Sequence, residues 1–97
     1  MRSRVVLALL PLAGCATAEP AIPVHGETPG HVCRAEPVQH YSGTVASARI
    51  GGELLAGSHA AVLRWAPPGV MLTMDYRADR LTVRLDPGNV ITGLACG

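Results

Sequence analysis

The stretch Pro67-Pro68-Gly69-Val70-Met71-Leu72-Thr73-Met74-Asp75-Tyr76-Arg77-Ala78-Asp79-Arg80-Leu81-Thr82-Val83 opens on a turn signal and closes in a strand. Pro67-Pro68-Gly69 stops regular structure, since proline fixes φ and donates no backbone hydrogen bond. From Arg80 to Leu85 the pattern alternates strictly. Leu81, Val83 and Leu85 fall on one face and Arg80, Thr82 and Arg84 on the other, which predicts a half-buried strand. Between these ends Val70, Met71 and Leu72 are consecutive and are followed by Thr73-Met74-Asp75. Neither a helix nor a half-buried strand places apolar groups in this way. The pattern suits an exposed loop that enters another protein's cleft, with Arg77 and Arg80 placed to brace it from behind.

Working outward, Asp86-Pro87-Gly88-Asn89 predicts a turn, and Val90 to Ala95 a further strand. Upstream, Ala61 to Trp65 predicts a short strand. Ala46, Ile50 and Leu54 recur at four-residue steps, which predicts a helix starting near Thr44 and ending at Gly57-Ser58, with Gly51-Gly52 a point of interruption. Ala35 to Tyr41 predicts a short helix with Glu36-Pro37 in its first turn, broken by Ser42-Gly43. The expected class is α+β: one small domain over residues 32–97, with one or two helices packed on a small sheet and one long loop between strands.

The chain has 97 residues, which allows one small domain. Met1-Arg2-Ser3-Arg4 is basic, Val5 to Leu10 is apolar, and small residues follow, as in a secretory signal over residues 1–14. The apolar run falls short of the ~20 residues that span a bilayer. Leu12-Ala13-Gly14-Cys15 resembles the bacterial lipobox, in which the cysteine is acylated and becomes the mature N-terminus. Ala16, rather than Asp, follows it. That resemblance implies a lipid anchor at Cys15 in the outer membrane, facing the periplasm or the cell surface. Residues 15–31 are rich in Pro, Gly, Ala and Thr without an apolar period and read as a flexible tether. Lipidation of Cys15 leaves Cys33 and Cys96 as a pair for one disulfide in an oxidising compartment. Closing so long a loop stabilises a fold by roughly 4 kcal/mol on the chain-entropy model. A small domain with no Phe, one Trp and two Tyr has a limited core and needs that staple.

Other classes are disfavoured. The net charge is +1 and no basic run is present, which argues against nucleic acid as a partner. His25, His31, Cys33 and His40 match no common zinc spacing, so neither a metal nor another cofactor is expected. His40, His59, Asp75, Asp79 and Asp86 supply acids and bases, but no nucleophile motif such as G-x-S-x-G accompanies them. One small core also leaves little room for a dry cleft, so an enzyme is not expected.

Cys33, Pro68-Gly69, Thr73-Met74-Asp75-Tyr76-Arg77, Asp79-Arg80-Leu81 and Cys96-Gly97 together closely resemble peptidase inhibitor family seventy-eight, typified by a fungal elastase inhibitor. The resemblance covers nearly all of residues 32–97. It implies a potato inhibitor I-like fold, with a helix on a small mixed β-sheet and an exposed protease-binding loop. It implies a monomeric inhibitor of an extracytoplasmic serine protease of the elastase, chymotrypsin or subtilisin type. By motif match, the loop is Met71, Leu72, Thr73, Met74, Asp75 and Tyr76. Met74 would enter the primary specificity pocket, with Met74–Asp75 as the scissile-type bond. Tyr76 would contact the protease on the leaving side and Leu72 and Met71 on the other. Thr73 and Asp75 would accept hydrogen bonds from arginines beneath, Arg80 first and Arg77 second. Thr82 stands where potato-inhibitor-type relatives often carry a further supporting arginine. The competing expectation is a cell-envelope lipoprotein that keeps the fold for a binding or structural role, or for lysozyme inhibition.

Overall fold

The computed structural model describes residues 26–97. The leader over residues 1–14, Cys15 and the first part of the tether lie outside the described residues. The elements run in the order 3-10 helix Glu36–Tyr41, α1 Ala48–Ser58, β1 Val62–Ala66, β2 Arg80–Leu85 and β3 Ile91–Cys96.

The sheet order is β1-β2-β3, with β1 parallel to β2 and β2 antiparallel to β3. A parallel pair needs a crossover of about a dozen residues or more, usually built around a helix. Here residues 67–79 make that crossover without one. The long aperiodic segment is therefore what lets β1 and β2 lie side by side. The β2–β3 connection is the predicted tight turn. The Asp86 carboxylate accepts from the Gly88 and Val90 amides at 2.8 and 2.9 Å, and Asn89 takes the left-handed conformation at φ 65°.

The alternation read in β2 extends across the sheet. Leu63, Trp65, Leu81, Val83, Leu85, Ile91 and Leu94 pack with α1 and the 3-10 helix in one core, joined by Val38, Ile50 and Leu54. On the opposite face the register places Arg64 beside Thr82 and Ala66 beside Arg84. The Cys33–Cys96 disulfide, with Cα atoms 5.8 Å apart, ties the segment before the 3-10 helix to the end of β3.

Two expectations about α1 change. The helix starts at Ala48 rather than near Thr44, with the Ser47 hydroxyl capping the Ile50 amide at 3.1 Å. Thr44 and Ala46 are instead held along the chain at Asn89–Ile91. The Ala46 amide donates to the Asn89 carbonyl and the Ile91 amide to the Thr44 carbonyl, each at 2.8 Å. Gly51-Gly52 does not interrupt the helix. Gly51 is buried beneath β1, where a Cβ would lie 3.2 Å from the Trp65 ring, so the absent side chain lets helix and strand close up.

Candidate functional site

The crossover returns from the end of β1 to the start of β2 along the open face of the sheet, and it exposes the groups singled out in the sequence. Met74 is 97% exposed and Met71 93%, against a core in which Leu54, Leu81 and Val83 are fully buried. Apolar side chains this accessible contribute nothing to folding by burial. Tyr76 is also exposed, and its ring lies over Gly97, where a Cβ would approach it to 3.1 Å. Leu72 differs from its neighbours. It is half-buried and turns towards a cleft of about 340 Å³ between the loop and the open face of the sheet, lined also by Arg64, Thr82, Arg84 and Ala95.

Met74 is flanked by two residues held from below. The Thr73 hydroxyl bonds the Asp75 carboxylate, so the two side chains meet across Met74. Arg80 Nη2 donates to the Asp75 carbonyl at 2.7 Å, and Nη1 lies 3.7 Å from its carboxylate. Its Nε donates to the Gly97 carbonyl at 2.8 Å. Arg80 is itself buried in β2, which fixes where its guanidinium points. The Asp75 carboxyl sits below its ordinary value of 3.8. The Thr73 hydrogen bond is the largest cause; desolvation, next in size, opposes it, and Asp75's own backbone and the charges of Arg80 and Arg64 add to the lowering.

Arg77, expected as the second brace, is engaged by Asp79. Its Nε and Nη2 both donate to Asp79, each at 3.0 Å. Asp79 is 1% exposed, and its carboxyl is held well below the usual carboxylate range by Arg77 first and then by the Thr28 hydroxyl, which donates at 2.7 Å. Arg77 thus organises the base of the loop. The Thr28 contact also means that the end of the expected tether, from Gly26, is docked on the domain.

The second direct brace is Arg64, which the sequence reading missed. Its Nη1 donates to the Thr73 hydroxyl at 3.0 Å and its Nε to the Thr82 hydroxyl at 3.1 Å. Thr82 in turn donates to the Gly97 carbonyl at 3.0 Å. Arg64 and Thr82 are partners in the parallel register. A guanidinium from β1 thus reaches the loop at Thr73 while resting on Thr82 of the neighbouring strand. The signal in the sequence was a lone cation inside the apolar run Ala60 to Ala66.

Among the described residues no group of three or more His, Cys, Asp or Glu side chains gathers as a metal site. Residues 33–97 match the model of the Peptidase inhibitor I78 family. The fold is similar to the solved structure of the elastase inhibitor AFUEI, with a TM-score of 0.50 and 25% sequence identity, over 61% of this chain and 81% of that one. No curated protein matches the chain.

Proposed function

The chain belongs to the Peptidase inhibitor I78 family, and on that premise we propose that it inhibits serine proteases through the loop Met71–Tyr76, with Met74 as the residue that enters the specificity pocket. It is a protease inhibitor rather than an enzyme, and its partner is a protease. The observation that carries the finer reading is Met74 at the crest of the loop, 97% exposed between two side chains that bond each other and are tied to Arg64 and Arg80.

Such a loop docks as a substrate does, pairing its backbone with strand edges of the protease. Because the loop is already ordered, little conformational entropy is lost on docking. The target's serine would attack the Met74 carbonyl, and the Asp75 amine would be the leaving group. Arg80 holds the Asp75 carbonyl, so the leaving group stays in place and rejoins rather than diffusing away. A methionine side chain is apolar and adaptable, which suits elastase-, chymotrypsin- and subtilisin-like pockets and not one built for a cation.

A protease panel tests this. The expected result is inhibition of at least one enzyme of those types and a slow cut between Met74 and Asp75. Met74→Lys should weaken that inhibition by about tenfold or more, since a buried charge without a partner is costly. Absence of inhibition across the panel by disulfide-bonded protein would refute the proposal. We further propose export and acylation at Cys15, on the strength of the leader and the Leu12-Ala13-Gly14-Cys15 sequence. Mass spectrometry of the mature N-terminus tests it: an unmodified Cys15 would exclude the anchor.

A further inference from the structure

We propose that residues 26–31 form a strap that braces the leaving side of the loop, with Thr28 as its positioning residue. The inference rests on the assignment of Met71–Tyr76 as the protease-binding loop. The strap lies ahead of the matched family region, which begins at Cys33.

Its contacts fall on Arg77 and Asp79, just past Tyr76, and the neighbouring Cys33 holds Ala78 between them. Gly26 is buried against Arg77: a Cβ there would lie 2.9 Å from the Arg77 Cα and 3.2 Å from its Cβ. Gly26 also has φ +84°, a conformation that side chains with a Cβ rarely adopt. The strap therefore crosses directly over the Arg77 backbone. Thr28 then bonds Asp79, the buried carboxylate that also takes both Arg77 donors. The Cys33 amide donates to the Ala78 carbonyl at 2.9 Å.

The strap is fixed at its far end as well. The His31 amide closes a turn onto the Thr28 carbonyl at 2.9 Å, and His31 Nδ1 donates to the His59 carbonyl at 3.0 Å. His59 follows α1 in the left-handed conformation. The strap thus links the end of α1 to Arg77 and Asp79. Arg64 and Arg80 hold the loop from the sheet side, and the strap closes the other side just past Tyr76. With the hydroxyl removed, Asp79 loses one of three side-chain donors, and Arg77 can move with the chain segment that carries Tyr76.

The test uses the full-length chain with its native disulfide, as wild type, Thr28→Val and Thr28→Ser, against a protease that the wild type inhibits. Thr28→Val should raise the inhibition constant about tenfold, the scale of one hydrogen bond to a charged group, with faster cleavage of the loop. Thr28→Ser should restore both. Amide exchange of Tyr76, Arg77 and Ala78 should quicken in Thr28→Val while that of β2 and β3 stays unchanged. An unchanged inhibition constant and cleavage rate in Thr28→Val, or equal weakening in Thr28→Ser, would overturn the proposal. If the wild type inhibits no protease, the loop assignment fails by itself. The exchange comparison then decides the strap alone, with unchanged protection at residues 76–78 counting against it.

Discussion

At the scale of single residues, Arg64 gives a clear test of how the loop is held. It reaches Thr73 and Thr82 from β1, while Arg80 reaches Asp75 from β2. Arg64→Met keeps an apolar stem of similar length and removes both hydrogen bonds. The Thr73 contact is exposed, so it contributes at the low end of the range for charged donors. The expected outcome is inhibition weakened by about tenfold with a melting temperature close to wild type. Equal inhibition by Arg64→Met would show that Arg80 holds the loop alone. The Asp75 carboxylate adds a pH dependence. Its folded pKa is depressed below 3.8, so its support is fully present above that value and is lost as the pH falls through the depressed one. The Asp75 carboxyl chemical shift should therefore titrate at a lower pH than that of an unperturbed aspartate, and loop protection, corrected for intrinsic exchange, should fall with it.

At the scale of elements, α1 packs through glycines, and two of them should respond with opposite sign to the same substitution. A Cβ on Gly57 would lie 2.8 Å from Cγ1 of Val38, which is fully buried. Valine is stiff at χ1 and has little room to retreat. Overpacking at such a site costs about 1–3 kcal/mol, more than the ~1 kcal/mol that alanine gains over glycine in a helix. Gly52 faces open space, so Gly52→Ala should stabilise by up to about 1 kcal/mol. Denaturant unfolding of both variants measures the difference, and a stabilised Gly57→Ala would refute the close contact. The same contrast marks what could be read from the chain. β2, the Asp86–Asn89 turn and the aperiodic crossover were legible, because alternation and turn chemistry are local. Arg64 was not, because its role depends on the parallel register with β2. Thr28 was not either, since its partner lies 51 residues away. The helix start was misplaced because Ala46 keeps the four-residue spacing while its backbone pairs with Asn89.

At the scale of the whole molecule, the disulfide joins stability to the loop. Cys33 donates its amide to Ala78 at the loop base, and Cys96 adjoins Gly97, whose carbonyl takes bonds from Arg80 and Thr82. Replacing Cys33 and Cys96 by serine should cost about 2–5 kcal/mol, the usual range for losing a native disulfide from a small domain. Stability loss alone would also weaken inhibition, by depleting the folded state. Gly57→Ala separates the two effects, because Val38 lies on the core side of the sheet, away from the loop. Under conditions where both variants remain mostly folded, Gly57→Ala should keep the wild-type inhibition constant. The double serine variant should bind more weakly and be cut faster between Met74 and Asp75, because both anchors of the loop base have been released. If the two variants inhibit alike once corrected for folded fraction, the bridge serves stability alone, and the loop's rigidity resides in Arg64, Arg80 and the strap.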